Sequence, residues 1–207
     1  MRYECRFVEG GSSSAEDRWD GLELMHLQDT VTGEAPRLET AVRAYWDSKA
    51  LHIRFDCEDD YVAASMTSRD DPLYEEDVVE IFIDETGEGR RYLEFEVSPR
   101  NIVFDAIIHR DEAGGLQIDK EWNAEAMETQ VFANENRRTY FISIPFEAFA
   151  ERPQLGTVWR WNLYRIDDDP SGRRHYSAWS PTGKVNFHMP ARFGELVFIA
   201  DKRVYID

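Results

Sequence analysis

Two segments of the chain place aromatic residues next to charged ones, a combination suited to recognising small polar ligands. In DPLYEEDVVEIFID (residues 71–84), Pro72 and the acidic run place Tyr74 in a loop just before a predicted strand that carries Glu80. In HYSAWSPTGKVNFHMPARFGE (residues 175–195), dense Pro and Gly residues predict a loop around Trp179. A Trp in such a loop is hard to bury, so we expect it to be exposed.

These residue types fit the requirements of a sugar site. The apolar C–H patches of a pyranose pack on aromatic faces, and its hydroxyls need fixed charged or amide partners. Tyr74 and Trp179 are the candidate faces, and the candidate polar partners are Glu80, Arg100 and Asn162. The residues alone leave another interpretation open, in which Trp179 plugs one end of the fold and Glu80 pairs with a nearby Arg.

Catalytic motifs are absent from the sequence, which has no GxSxG elbow, HExxH pair, phosphate-binding Gly loop or GxGxxG turn. A pair of carboxylates can hydrolyse a glycosidic bond, so a glycoside-acting enzyme remains an alternative function. The carboxylates available to it are Glu75, Glu76, Asp77 and Glu80. The five histidines are single and scattered, and haem ligation by Met66 and His109 is the weakest alternative.

Two acidic loops are the first places to look for calcium ligands, namely residues 56–61 (DCEDDY) and 167–172 (DDDPSG). Calcium takes six to eight oxygen ligands from a flexible loop. Neither segment has the EF-hand spacing, and Pro170 interrupts the second. Solvated acidic turns are therefore the favoured interpretation of both, and no metal ligand is assigned.

Strands must position these side chains, because alternation of apolar and polar residues dominates the chain. In VVEIFID, Val79, Ile81 and Ile83 form a predicted core face, which places Glu80 on the opposite face. Seven more predicted strands contain TAVRAYW, LHIRFDC, YLEFEV, NIVFDAII, TYFISIP, TVWRWNLYRI and ELVFIA. Helical signal is limited to one short turn in PFEAFAERP. Many short strands joined by Gly-rich turns predict an all-β, antiparallel β-sandwich.

Composition narrows the class of protein further. The 207 residues favour one domain over 1–207, and the formal net charge of −17 argues against a nucleic-acid partner. No segment is long and apolar enough for a membrane span, and the first residues lack the apolar part of a signal peptide. We therefore expect a cytoplasmic protein from the sequence as it stands, or an extracellular one if it is a processed form. Cys5 and Cys57 lack metal-ligand spacing, and the sequence leaves open whether they pair and which oligomeric state the chain adopts.

Four blocks in a fixed order carry a family resemblance over residues 40–200: DPLYEEDVVEIFID, YLEFEVSPRNIVFDA, WRWNLYRID and SAWSPTGKVNFHMPARFGEL. Together they resemble the family 9 carbohydrate-binding modules and their stand-alone relatives. The resemblance implies a jelly-roll-like β-sandwich that binds sugars without catalysis, often beside xylan-degrading enzymes. It also implies two aromatic rings that sandwich a sugar, frequently at the end of a chain, and it allows structural calcium.

The resemblance assigns roles to particular positions. Trp179 in SAWSP is similar to one wall of the sugar clamp, and Tyr74 in PLYEED falls where the other wall, usually Trp, would be. Glu80 in DVVE resembles a hydroxyl-binding carboxylate, Arg100 in SPRN a basic partner, and Tyr176 a further polar sugar contact.

The predicted function is accordingly non-catalytic binding of carbohydrate, either a small sugar or the end of a polysaccharide. Asn162 and Arg165 in WNLYRID match a recurrent pair of the family pattern, and the sequence leaves open whether they bind sugar or brace the sheet. No cofactor is required, although structural calcium is compatible with the resemblance. The alternatives are a glycoside-acting enzyme and a sandwich scaffold that has lost its sugar site.

Overall fold

The alternating sequence pattern produces strands over most of the chain. The computed structural model describes residues 1–9 and 17–201, and nearly all regular structure in this part of the chain is β. The strands are β1 (Arg2–Phe7), β2 (Met25–His26), β3 (Gln28–Asp29), β4 (Thr40–Trp46), β5 (Ala50–Glu58), β6 (Val78–Asp84), β7 (Arg91–Val97), β8 (Val103–Arg110), β9 (Leu116–Asp119), β10 (Glu128–Asn134), β11 (Arg137–Pro145), β12 (Val158–Asp168), β13 (Arg174–Ala178) and β14 (Gly194–Ile199). Single turns of 3-10 helix lie at Leu73–Glu75, Phe146–Ala148 and Pro190–Arg192.

All eight strands predicted from the alternation are present, as β4, β5, β6, β7, β8, β11, β12 and β14. The short helical turn predicted in PFEAFAERP is the 3-10 helix Phe146–Ala148. The strand β13, with sequence RHYSA, lies inside a segment that the sequence predicts to be a loop.

The strands form one continuous sheet in the order β10-β11-β5-β4-β1-β14-β12-β6-β7-β8-β9, with β13 paired to β12. The predicted antiparallel arrangement has one exception, because β1 runs parallel to both β14 and β4. Hairpin-linked neighbours must be antiparallel, but β1 is joined to neither neighbour by a hairpin. The first strand fills the gap between the two halves of the sheet instead.

The sheet folds over itself, so that its two halves enclose the main apolar core. Fully buried Ile53 and Phe55 from β5 share this core with Ile81, Phe95 and Trp161 from the other half. Face-to-face packing of two sheet layers is a β-sandwich, which confirms the predicted fold class. Val79, Ile81 and Ile83 lie in this core, as the alternation in β6 predicts.

A second apolar cluster covers the outer face of β6, β7, β8 and β12. Its buried residues on these four strands are Val78, Phe82, Tyr92, Phe104, Ala106, Ile108, Tyr164 and Ile166, and β13 adds Ala178. Long connections pass over this face and contribute Leu73, Phe187 and Phe193 to the cluster. Because both faces of these strands are covered, polar residues of β6 and β7 are buried as well, and they form the centre of the site described below.

Cys5 and Cys57 are both buried in the main core as free thiols. The disulfide that the sequence left open is therefore not formed. Within the described residues, no helix has the length and apolar character needed to cross a membrane.

Candidate functional site

The outer face of the β12-β6-β7-β8 strands brings polar and aromatic residues into rows across the sheet. Tyr164, Glu80, Glu96 and Phe104 are register partners on four consecutive strands, so their side chains point to the same face. Glu94 lies two residues from Glu96 on β7 and shares its face. The strand pairing thus gathers three carboxyl groups in the middle of an otherwise apolar surface.

The three glutamates Glu80, Glu94 and Glu96 are nearly inaccessible to solvent, with exposed fractions of 2%, 5% and 0%. One carboxylate oxygen from each lies within 4.8 Å of the others. Burial raises the pKa of Glu80, and the charge of Glu94 raises it further. The pKa of Glu96 is raised by burial and then by Glu80 and Glu94, and the backbone N–H of Tyr74 offsets a part of this shift. We call this group the glutamate cluster.

Tyr74 lies above the glutamate cluster, in the 3-10 helix Leu73–Glu75, and 48% of it is exposed. Its ring packs edge-on against Phe104, with 6.3 Å between ring centroids. Arg174 holds the helix in place by donating to the backbone carbonyl of Glu75 and, at 2.9 Å, to the carboxylate of Asp168. Tyr74 therefore presents a supported aromatic surface to solvent, in the connection just before β6.

Arg100 is exposed in the turn after β7. Its charge helps to stabilise ionised Glu76, whose pKa lies below the ordinary value. Partial burial pushes the pKa of Glu76 upward, but hydrogen bonds from Ser65 and Met66 outweigh that effect. Arg100 thus lies close enough to the segment that carries Tyr74 to act on Glu76.

Tyr176 is half-buried on β13 and belongs to the same outer face. It is the register partner of Ile166 on β12, and its ring packs edge-on against Phe187 at 6.2 Å. Tyr74, Arg100 and Tyr176 are therefore accessible or partly accessible residues around this face, with Glu80 at its buried centre.

Trp179 occupies a different place from the one predicted. It is only 6% exposed, and its indole packs edge-on against Trp161 in the main core, with 5.9 Å between ring centroids. Gly194 on β14 accommodates the indole, since a Cβ at that position would collide with it. The expectation of an exposed Trp179 is wrong, and Trp179 and Tyr74 do not form the two walls of a clamp in this structure. The alternative interpretation, a packing role for Trp179, is the one that its surroundings fit.

Asn162 and Arg165 brace the sheet. Asn162 is fully buried, and its side-chain amide exchanges two hydrogen bonds with the backbone of Ser180, at 2.8 and 2.9 Å. Arg165 is 6% exposed and pairs with Asp167, while it also donates to the carbonyl of Glu58 at 2.7 Å. Asn162 therefore fixes the loop after Trp179, and its predicted contact with sugar hydroxyls is not accessible here.

The two acidic loops use their carboxylates in contacts within the chain. In residues 56–61, Asp59 pairs with Arg138 and Asp60 with Arg37. In residues 167–172, the partners are Arg165 and Arg37 for Asp167, Arg174 for Asp168, and Ser171 and His175 for Asp169.

Met66 and His109, the two residues considered as haem ligands, lie in different surroundings. Met66 packs against the second apolar cluster, whereas His109 is exposed on β8.

A further concave surface lies on the other half of the sandwich. This opposite groove has a volume of about 560 Å³. It is lined by Arg18, Trp19, Tyr45, His52, Arg54, Glu128, Thr129, Gln130, Phe132, Thr139, Phe141, Ile142 and Ser143. No sequence motif indicates this groove, because its residues come from distant segments of the chain.

The β-sandwich with an aromatic and acidic outer face has the architecture of a ligand-binding module. The chain belongs to the carbohydrate family 9 binding domain-like family, whose model matches residues 12–200. The family that the sequence motifs indicate is thereby confirmed, and with it the carbohydrate-binding class.

Three relatives illustrate the similarity. An "Extracellular protein" of Arthroderma benhamiae is 26% identical, with 85% of this chain and 86% of that protein covered. Two solved structures of a family 9 carbohydrate-binding module from Caldicellulosiruptor kristjanssonii share 18% identity. The cellotriose complex has a TM-score of 0.69 and covers 98% of this chain and 97% of its own. The glucose complex has a TM-score of 0.67 and covers 94% and 96%.

Proposed function

We propose that the outer face around Tyr74 binds an uncharged sugar or the end of an oligosaccharide. The observation that carries this proposal is the family match over residues 12–200, which includes every residue of the site. Two structural neighbours bind cellotriose and glucose, so glucose and short β-glucans are the first ligands to examine. A relative named as an extracellular protein supports an extracellular setting rather than the cytoplasmic one expected from the sequence.

In the proposed site, Tyr74 is the platform on which the apolar face of one pyranose packs. Arg100 and Tyr176 are the candidates to bond its hydroxyls, since both remain at least partly accessible. Glu80 lies beneath the platform and would meet a hydroxyl only if the 3-10 helix Leu73–Glu75 moved. With Trp179 buried, one ring face rather than two packs on the sugar. We therefore expect weak binding, with Kd on the order of 1 mM.

The test is isothermal titration of glucose, cellobiose and cellotriose into the wild-type protein and the variant Tyr74→Ala. The wild type should bind at least one of them, and the variant should lose at least about two- to tenfold in affinity, because stacking on one aromatic face contributes roughly 0.5–1.5 kcal/mol beyond the buried area. Tyr61→Ala is the matched control, since Tyr61 has a similar exposed fraction, 45% against 48%.

Unchanged binding by Tyr74→Ala would refute the platform. Absence of binding to the wild type across a wider panel of neutral sugars would refute the function itself and favour a scaffold. Release of reducing ends during the titration would point to the glycoside-acting alternative.

A further inference from the structure

Among the described residues, the buried carboxylates outside the glutamate cluster have either a basic partner or, in Asp77 and Asp84, at least two backbone N–H donors, whereas the cluster has no basic partner. Oε1 of Glu80 and both carboxylate oxygens of Glu96 are inaccessible to solvent, and no described residue donates a hydrogen bond of ordinary geometry to them, although the backbone N–H of Tyr74 is close enough to offset a part of the pKa shift of Glu96. Within the same part of the chain, no Lys, Arg or His side chain forms an ion pair with Glu80, Glu94 or Glu96. Burying uncompensated carboxylates is costly, so a compensating species is expected at this place.

Comparable carboxylates elsewhere show how this chain compensates buried charge. Asp105 is fully buried, and it accepts from the guanidinium of Arg69 and, at 2.9 Å, from the backbone N–H of Ala124. Asp167 receives the guanidinium of Arg165. The glutamate cluster therefore departs from the way in which this acidic chain compensates Asp105 and Asp167.

The geometry of the cluster matches a single metal ion. Ligand oxygens lie about 2.3–2.6 Å from Ca²⁺, so oxygens up to about 5 Å apart can share one ion. The three oxygens of the cluster lie within 4.8 Å of one another, so they satisfy this condition. Three carboxylates offer up to six oxygen ligands. Because the cluster has no nitrogen or sulfur ligand, it favours Ca²⁺, Mg²⁺ or Mn²⁺ over Zn²⁺ or Cu²⁺. The near-complete burial leaves no direct access for a sugar to the same oxygens.

We propose that Glu80, Glu94 and Glu96 bind one divalent, oxygen-preferring cation beneath the 3-10 helix that carries Tyr74. The cation would link β6 to β7 and neutralise the centre of the outer face. This site is distinct from the proposed sugar platform above it, and its existence does not depend on sugar binding. The competing possibility is that protons, rather than a cation, compensate the three carboxylates.

The experiment combines metal analysis with thermal unfolding in the absence of sugar. Protein purified without chelator is analysed by elemental mass spectrometry. A second sample is stripped with EDTA, dialysed and melted with CaCl₂, MgCl₂ or MnCl₂ at up to about 10 mM, above the weakest Kd typical of extracellular calcium modules. The variants are Glu96→Gln, which keeps the shape of the side chain, and Glu88→Gln, an exposed control in the turn after β6.

We expect a Tm increase of several degrees with at least one cation for the wild type and for Glu88→Gln, and none for Glu96→Gln. In EDTA we expect the reverse order of Tm. Glu96→Gln should then have a Tm equal to or higher than that of the wild type, because the substitution removes one of three crowded buried charges. Glu80→Gln replaces Glu96→Gln if the latter does not fold. A wild type whose Tm does not respond to any of the three cations refutes the proposal and leaves protons as the compensation. An equal response from Glu96→Gln places the cation elsewhere and refutes it too.

Discussion

At the scale of single residues, two aromatic side chains with the same kind of sequence context have opposite environments. Tyr74 sits in a 3-10 helix above the outer face and stays half-exposed, whereas Trp179 is buried in the main core. The reason is strand alternation. Ala178 is the last residue of β13, and its side chain faces the second apolar cluster. The backbone N–H of Trp179 still donates to the carbonyl of Leu163 on β12, so the chain remains extended there. The side chain of Trp179 therefore points to the opposite face, into the main core.

This placement predicts a stability defect for Trp179→Ala. Replacing a buried Trp by Ala leaves a cavity and costs roughly 3–5 kcal/mol, so the free energy of unfolding in urea should fall by about that amount. Tyr74→Ala, in contrast, should change it by less than about 1 kcal/mol because its ring is half-exposed. A stable Trp179→Ala protein that loses sugar binding would restore the clamp interpretation.

At the scale of elements, the loops over the outer face are fastened by carboxylates rather than by apolar contacts alone. Asp77, just before β6, accepts a hydrogen bond from the N–H of Ala63 and another from the N–H of Asp168, both at 2.7 Å. It thereby ties the segment before the 3-10 helix to the end of β12. Burial nevertheless raises the pKa of Asp77 to about 6, above its ordinary value of 3.8.

This raised pKa predicts a specific pH dependence of stability. Between pH 3.8 and about 6 the folded chain keeps the proton on Asp77 while the unfolded chain releases it. Stability from this group is therefore greatest below pH 3.8, falls as pH rises and levels off above about 6. The total loss is about 3 kcal/mol, since each pKa unit corresponds to about 1.4 kcal/mol.

Urea unfolding of the wild type and Asp77→Asn at pH 4, 5, 6 and 7, about the range in which such a group titrates, measures this effect. The variant should lose less stability than the wild type on going to neutral pH. Parallel pH profiles for the two proteins would contradict the assignment.

The elements also show why the sequence predicts strands better than site residues. Strong alternation in segments such as VVEIFID identified eight strands and placed Glu80 on the face opposite Val79 and Ile81, as found. The strand β13 was missed because RHYSA lacks clear alternation and is surrounded by Pro and Gly. Without β13, the sequence predicts a loop around Trp179, and this is the reason for the wrong expectation that Trp179 is exposed.

The sequence contains only a part of the information needed to predict the glutamate cluster. The spacing of Glu94 and Glu96 puts both on one face of β7, but their proximity to Glu80 depends on the register between β6 and β7, which the sequence does not fix. The loops that bury the cluster come from segments before β6 and after β13, a long-range arrangement that no local pattern encodes. The bracing role of Asn162 has the same origin.

At the scale of the whole molecule, the net charge of −17 restricts the class of carbohydrate that the chain can approach. A negative surface potential repels polyanions, and the repulsion weakens as salt screens it. We therefore expect retention on neutral glucans in affinity electrophoresis and no retention on polyuronates at low ionic strength. Stronger retention on the anionic polymer would contradict the proposed class of ligand.

The sandwich offers two surfaces on opposite halves, and the central claim is that sugar binds at the Tyr74 face. The most direct measurement is a series of amide ¹H–¹⁵N NMR spectra of the intact chain during titration with cellotriose. The proposed function predicts that the largest shifts fall on Tyr74, Glu76, Arg100 and Tyr176 and on their neighbours. Shifts concentrated in the opposite groove, around Trp19 and Phe132, or the absence of any shift, would contradict it.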